Sequence, residues 1–275
     1  MLRTRVVSGA ILGGLAVVII WHGGAWFLAM NIVLGLIGLN EFYRMQRRLR
    51  PIALAGFLGL FGVLWAAWFW SAPAAIGMFA GAVLLTFALA AAPGPRAGVT
   101  VRMAVTLLGL LYLGLGFGFL LALRHYHEGS LFALKVLHTT DEGRDLALTV
   151  VFGAWASDTV SYFTGRFFGA TPMVPRLSPK KTWEGFAGGL IGTMLVVEFI
   201  SLYTFLSAGQ ALLVGLVIAV AAPVGDLFES LLKRDAEVKD AGRFFPGHGG
   251  ILDRFDSLLF ATVAAYFVVT AVLHV

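Results

Sequence analysis

The 275-residue chain contains no cysteine. Disulfides, thiolate metal sites and cysteine nucleophiles are therefore excluded, and any bound metal must be held by oxygen or imidazole ligands. Such ligands favour a hard cation such as Mg²⁺. Charge is also scarce: Asp, Glu, Lys and Arg make up 13% of the residues, against about 25% in a soluble domain. With 59% hydrophobic residues, too few polar side chains remain to cover a water-facing surface, so we expect an integral membrane protein.

Nine stretches of the chain are long and apolar enough to cross a bilayer as helices, which takes about 20 mostly apolar residues. Their lengths are typical of helices and not of the shorter strands of an outer-membrane barrel. The sequence therefore predicts an all-α polytopic membrane protein with about nine transmembrane helices. The expected segments are 5–21, 24–43, 52–70, 73–92, 101–123, 147–168, 184–207, 210–232 and 252–274.

The Lys and Arg residues are distributed unevenly over this predicted topology. Seventeen of the 20 fall on one side, and only Arg124, Lys135 and Arg144 fall on the other. Because cytoplasmic loops are rich in Lys and Arg, we expect the N-terminus and two long loops, 166–183 and 233–252, in the cytoplasm. The C-terminus would then lie outside, and we expect a multi-pass protein of the inner cell membrane in which any active site built from these loops faces the cytoplasm.

The chain divides by its chemistry into residues 1–145, with the first five segments and an outer loop, and residues 146–275, with the last four segments. The outer loop at 124–146 carries His125, His127, His138, Asp141, Glu142 and Asp145. Their spacing is loose, so we interpret this loop as solvated and not as a metal site. The second part is the expected catalytic region, since it contains ionisable residues inside its spans, where burial is costly.

One of these residues, Asp226, begins a polar helix face. Asp226, Glu229, Ser230 and Lys233 follow one another at i, i+3, i+4 and i+7, which places all four on one side of a helix. Taken alone, this face fits a binding site and an interfacial surface with a snorkelling lysine about equally well.

The loop that follows favours a site. Asp253 and Asp256 lie three residues apart at the start of the last helix and share a face. The glycines around His248 allow a ligand to approach the backbone, and the helix N-terminus attracts anions. Carboxylates, basic groups and exposed amides together are what phosphoryl and nucleotidyl transfer require.

Two further polar segments are expected on the same side of the membrane. One contains Ser178, Lys180 and Lys181 ahead of a helix and would form an anion clamp, although a lysine pair at a membrane edge is also explained by topology alone. The other surrounds Asp158 in the sixth segment. The convergence of three separate segments on one face predicts a functional site.

Ser230 to Asp256 resembles the signature of the CDP-diacylglycerol synthases, also called phosphatidate cytidylyltransferases. That signature has a Ser, then Lys-Arg, Lys-Asp, His-Gly-Gly and Asp-Arg-x-Asp, and every spacing matches. The matching residues are Ser230, Lys233, Arg234, Lys239, Asp240, His248, Gly249, Gly250, Asp253, Arg254 and Asp256. The Lys180 segment and the Asp158 helix also look like the family, so the resemblance covers roughly residues 153–256.

The resemblance implies an enzyme that joins CTP and phosphatidic acid to give CDP-diacylglycerol and pyrophosphate with Mg²⁺. Asp226 and Asp253 would be the metal ligands, with Asp256 close behind, and a second cation is left open. It also implies a homodimer in membrane lipid, and no nucleic-acid partner is expected.

The predicted catalytic residues are the three aspartates just named together with Lys233, Lys239 and Arg254, which would spread the phosphate charge. His248 would bind phosphate or hold the glycine loop. The residues assigned to substrate binding are Ser178, Lys180, Lys181, Ser230, Arg234, Asp240, His248, Gly249, Gly250 and Asp158.

Two other functions fit parts of the pattern. A CTP-dependent lipid-alcohol kinase would need a hydroxyl acceptor and would release CDP instead of pyrophosphate. An ion-coupled transporter would use Asp158, Glu198 and Asp226 as an ion path, but the clustering of polar residues in cytoplasmic loops argues against it.

Overall fold

The computed structural model describes residues 2–92, 94, 97–126, 141–242, 244 and 249–271, with the backbone alone for residues 2–8 and 10. Helices dominate this part of the chain, and each of the nine predicted segments is helical over most of its length. The helices are α1 (Leu2–His22), α2 (Gly24–Met45), α3 (Ala53–Phe69), α4 (Ala72–Ala91), α5 (Val99–Leu110), α6 (Gly116–Arg124), α7 (Glu142–Phe168), α8 (Trp183–Ser201), α9 (Ala208–Asp235) and α10 (Leu252–Ala271).

Seven helical stretches among the described residues are long and apolar enough to cross a membrane. One of them, Val99–Arg124, joins α5 and α6 through a π-helical turn at Leu111–Leu115. Two further apolar helices, Ile11–His22 and Ala53–Phe69, are shorter. The class of polytopic α-helical membrane protein is thus confirmed, while the count of nine spans and the orientation stay predictions.

The segment 166–183, predicted as a loop, contains a small antiparallel hairpin. Its strands are β1 (Pro172–Val174) and β2 (Ser178–Thr182), with Pro172 opposite Thr182 and Val174 opposite Ser178. The sequence did not indicate these strands because both are short, and β2 consists mostly of polar residues, so no apolar alternation marks them.

The chain forms two compact units, one of Met1–Ala122 with Ala236–Arg254 and one of Leu123–Asp235 with Phe255–Val275. The predicted division near residue 145 separates a catalytic part of the chain from the rest and is not a division by packing, so it stays a prediction. The first unit has a core of large side chains that includes the fully buried Phe27, Phe42 and Leu64. The Tyr43 hydroxyl donates to the carbonyl of Thr106 at 2.9 Å, which ties α2 to α5.

In the second unit, α7 and α8 pack closely through glycines of α8. A Cβ at Gly192 would lie 2.7 Å from Val160, and one at Gly185 would lie 2.9 Å from the carbonyl oxygen of Ser161. Small residues of this kind allow membrane helices to approach one another. Because the hairpin connects the end of α7 to the start of α8, the close packing of these helices fixes both of its ends.

The N-terminal end of α7 is less solvated than the sequence indicated. Arg124 is only 4% exposed and donates twice to Asp141, at 2.8 Å each. Asp141 also caps α7 by accepting from the backbone N–H of Arg144. This part of the predicted outer loop is therefore a half-buried ion pair with a helix cap, and residues 127–140 lie outside the described residues.

Candidate active site

The hairpin between α7 and α8 is held at its base by two side chains of the α8 N-terminus. Thr182 caps the helix, its hydroxyl accepting from the backbone N–H of Gly185 at 3.1 Å. Glu184 accepts from the backbone N–H groups of Ala170 and Thr171, each at 3.1 Å. The end of β2 therefore has a fixed position relative to α8.

This fixed strand directs one of the two lysines at a carboxylate. The Nζ of Lys181 lies 2.7 Å from Oδ2 of Asp226 in α9. Its neighbour Lys180 is exposed, while Ser178 is half-buried at the start of the strand. The structure thus pairs Lys181 with the aspartate, while Lys180 is exposed.

The polar face of α9 is present as predicted. Ser230 donates to Asp226 at 3.5 Å, and Lys233 donates to Glu229, one turn before it. Glu229 is 1% exposed, and Arg234 lies on the exposed side of the helix. The four residues that start at Asp226 therefore form one connected surface.

Asp256 on α10 joins this surface. It is 8% exposed, and its carboxylate accepts from the backbone N–H of Ser257 at 2.8 Å. The Ser257 hydroxyl donates to Asp158 of α7 at 2.9 Å. A Cβ at Gly225 would overlap the carbonyl oxygen of Asp256. The absence of a side chain at Gly225 is therefore what allows α9 and α10 to meet at this point.

Four acidic side chains are concentrated here. The negative charges of Glu229, Asp226 and Asp158 lie close enough to Asp256 to repel its carboxylate. Such carboxylates repel one another at low dielectric and need nearby positive charge, which Lys181 and Lys233 supply in part. Their oxygen donors are those that Mg²⁺ prefers, so the group fits a hard divalent cation in its chemistry. In the described part of the chain, no three His, Asp or Glu side chains are arranged closely enough to hold a metal ion as they stand.

The remaining predicted site residues that the structure describes belong to the other unit. Oδ2 of Asp253 accepts from the backbone N–H groups of Gly250, at 2.8 Å, and Ala241, at 3.1 Å. Gly249 has a φ of +87°, a conformation that favours glycine. The exposed members of this group are Lys239, Asp240 and Arg254. His248 lies outside the described residues.

Asp226 and Asp253 thus fall in different units. Their predicted role as a pair of metal ligands stays a prediction.

Three functional candidates were missed in the sequence. Ser257 gave no signal, since a serine in a helix is common. Glu229 was seen on the polar face but was given no role. Glu41 stands in the apolar segment of α2 and is 6% exposed. An ionisable residue inside a predicted span was a usable signal for it.

Comparison with known proteins identifies the family. A model of the cytidylyltransferase family matches residues 3–272. The chain is 30% identical over 282 residues to the phosphatidate cytidylyltransferase of Bacillus subtilis (strain 168), covering 97% of each chain. Proteins of the same name from Mycobacterium bovis and Brucella abortus are also 30% identical, over 98% and 96% of this chain and 88% and 92% of theirs.

The chain therefore belongs to the cytidylyltransferase family. This membership confirms the resemblance found in the signature and the enzyme class expected from it. The match also includes the first 150 residues, in which the sequence showed only a series of apolar segments.

Proposed function

We propose that this protein is a phosphatidate cytidylyltransferase that makes CDP-diacylglycerol from CTP and phosphatidic acid. The observation that best supports the proposal is the ion pair between Lys181 and Asp226. It joins the lysine segment before α8, which looks like the family, to the helix in which the signature begins, α9. Both stretches thereby contribute to one group of charges.

The reaction needs little acid–base help from the protein. The lipid carries a phosphate monoester with a second pKa of about 6, by analogy with a phosphorylated side chain, so it is a dianionic nucleophile near neutral pH. One of its oxygens bonds to the α-phosphorus of CTP, and the bond from that phosphorus to the bridging oxygen of the β-phosphate breaks. Pyrophosphate leaves with the electron pair.

The main task of the protein is to bring two anions together. Lys181 and Lys233 lie beside the carboxylates of α9 and would bind phosphate oxygens as charge-assisted donors. Lys239 and Arg254 are exposed in the other unit and would serve the same purpose from there. Positioning and charge neutralisation of this kind supply most of the catalysis in phosphoryl transfer.

The proposal includes Mg²⁺, with Asp226 and Asp253 as its ligands on the strength of the signature, Asp256 close behind and a second cation left open. A bound Mg²⁺ would neutralise charge on the triphosphate and on the leaving pyrophosphate. Asp158 would orient the α10 side of the group through Ser257. The other residues proposed to contact substrate are Ser178, Lys180, Ser230, Arg234, Asp240, His248, Gly249 and Gly250.

The lipid substrate explains why such chemistry takes place in a membrane protein. We propose nine spans in the inner cell membrane, with the N-terminus and the site facing the cytoplasm, where CTP is available. The acyl chains would remain in the bilayer while the phosphate headgroup reaches the charged residues from the side. A homodimer completes the proposal on the strength of the resemblance.

The deciding experiment is pyrophosphate release by the purified protein in detergent, with CTP, Mg²⁺ and phosphatidic acid. We expect release that requires the lipid and stops on addition of EDTA. Diacylglycerol in place of phosphatidic acid serves as the control for a lipid-alcohol kinase. Release of CDP with that lipid, and no pyrophosphate with phosphatidic acid, would contradict the proposal.

A further inference from the structure

Glu41 has a buried carboxylate far from the signature in sequence. It lies near the end of α2, is 6% exposed, and accepts a hydrogen bond from the backbone N–H of Leu252 at 3.1 Å. A Cβ at either Gly242 or Gly250 would overlap its carboxylate oxygens. The backbone at Gly242 and the backbone at Gly250 therefore both pack directly against this one side chain.

Asp253 binds the same two stretches of chain. Its Oδ2 accepts from Ala241, next to Gly242, and from Gly250. Glu41 of α2 and Asp253 in the first turn of α10 thus both contact the backbone near residues 241–242 and at Gly250. A movement of the Glu41 carboxylate toward Gly242 or Gly250 therefore displaces backbone next to the Asp253 hydrogen bonds.

The arrangement offsets part of the cost of burying Glu41. The first N–H groups of a helix have no partner within the helix, and the helix N-terminus is electrically positive. Leu252 is the first residue of α10, so the carboxylate supplies the missing acceptor and a complementary charge. Asp253 repels the Glu41 carboxylate, and Arg44, one turn later in α2, contributes a smaller favourable charge. Glu41 therefore caps α10 from a different helix.

We propose that Glu41 is a positioning residue that holds the start of α10 and the adjoining glycine segment, so that Asp253 keeps its place. Glu41 acts through this backbone and not on substrate. The inference rests on the proposed function only in that Asp253 is taken as a functional carboxylate. No residue of α2 belongs to the site predicted from the sequence, so the proposal gives this helix a functional role.

The test compares Glu41→Ala and Glu41→Gln with Asn31→Ala. Asn31 is a matched control because it is also buried in α2, but it donates only to Phe27 of its own helix. For Glu41→Ala we expect kcat for pyrophosphate release to fall by about 10- to 100-fold, the usual effect of removing a residue that holds a ligand in place. The KM for CTP should change by less than about threefold, because no substrate contact is lost.

Glu41→Gln separates positioning from packing. Its amide oxygen can still accept from Leu252, so we expect kcat to return to within about fivefold of the wild type. A Glu41→Gln variant as slow as Glu41→Ala would overturn the proposal.

Hydrogen exchange gives a reading that does not depend on turnover. In Glu41→Ala, the amides of residues 249–256 should exchange at least about tenfold faster than in the wild type, since their local opening becomes easier. They should be unchanged in Asn31→Ala. Equal protection in Glu41→Ala and the wild type would overturn the inference, and a wild type without pyrophosphate release would instead contradict the proposed function.

Gly242→Ala provides a second route should Glu41→Ala fold poorly. It keeps both carboxylates but forces Glu41 aside, and the expected result is the same loss of protection at 249–256. Gly209→Ala is the control, since a Cβ there meets nothing within 4 Å. Full protection in Gly242→Ala would contradict the proposed role of Glu41.

Discussion

Asp226 and Asp253 have the same chemistry and the same predicted role, yet the protein holds them by different means. Asp226 is held by side chains, with the ammonium group of Lys181 at 2.7 Å and the hydroxyl of Ser230 at 3.5 Å. Asp253 is held by the backbone, through the N–H groups of Ala241 and Gly250. Asp226 therefore has a lysine as an ionic partner, and Asp253 has two backbone N–H donors from its own stretch of chain.

The difference indicates a division of labour. A lysine side chain is long and flexible, so its ammonium group can pass from a carboxylate to a phosphate oxygen without rearrangement of the fold. Backbone amides cannot leave without unfolding their segment. We therefore expect the surroundings of Asp226 to respond to substrate charge, while Asp253 is a fixed reference point whose position is set by the fold.

The largest effects are expected from removing either charge. Asp226→Asn and Asp253→Asn should each lower the rate of pyrophosphate release by about 10³-fold or more, because a missing metal ligand costs several kcal/mol of transition-state stabilisation. Both variants should remain folded, since asparagine keeps an acceptor oxygen. Gel filtration in detergent checks folding, and wild-type turnover in either variant would contradict its role as a ligand.

Removal of Lys181 tests the ionic partner alone. Lys181→Ala should raise the KM for CTP by about 10- to 100-fold, the value of one or two charge-assisted hydrogen bonds to phosphate. Arg176→Ala is the control, because Arg176 is an exposed cation of the same hairpin. Should both variants raise KM equally, the effect of Lys181 would be one of general charge and not of its contact with Asp226.

Gly225→Ala disturbs the packing next to Asp226 and leaves every charge in place. Its Cβ would overlap the carbonyl oxygen of Asp256, so α9 and α10 have to separate. We expect a loss of about 1–3 kcal/mol in the free energy of unfolding, as for other overpacked sites, together with reduced turnover. Thermal unfolding in detergent measures the first effect, with Gly209→Ala as control. Unchanged unfolding and turnover would show that this contact is not needed.

The smallest effect is expected at the helix cap that positions Lys181. Thr182→Ala removes the hydroxyl that accepts from Gly185 and should cost about 1 kcal/mol, or about 3 °C in the unfolding temperature. Thr182→Ser keeps the hydroxyl and should behave as the wild type. If Thr182→Ser were as unstable as Thr182→Ala, the loss of stability would come from the missing methyl group and not from the missing cap.

The sequence was sufficient for the helices and for the polar face of α9, because both follow from the helical period. Hydrophobic segments of about 20 residues mark spans directly. The spacing of Asp226, Glu229, Ser230 and Lys233 required only that the segment be helical. The π-helical turn at Leu111–Leu115 did not appear in the pattern, since one extra residue in a uniformly apolar segment changes no polar position.

The contacts between distant parts of the chain were beyond the sequence. Nothing in the pattern distinguished Lys181 from Lys180, since the choice depends on a strand that carries no apolar alternation. The partnership of Glu41 with Leu252 spans 211 positions, and a local pattern contains no information on such a pairing. Signature residues were found because they resemble a family, and their partners were found only in the structure.

The hairpin limits how this part of the chain can vary in length. Thr182 fixes the end of β2 against α8, so a residue inserted between Lys181 and Thr182 would itself take the place opposite Asp226 and would move Lys181 away from it. The turn at residues 175–177 is free of that constraint, since added length there leaves β2 and its cap at Thr182 unchanged. Related sequences should therefore differ in length at the turn, while the distance from the lysine to the capping threonine stays at one residue.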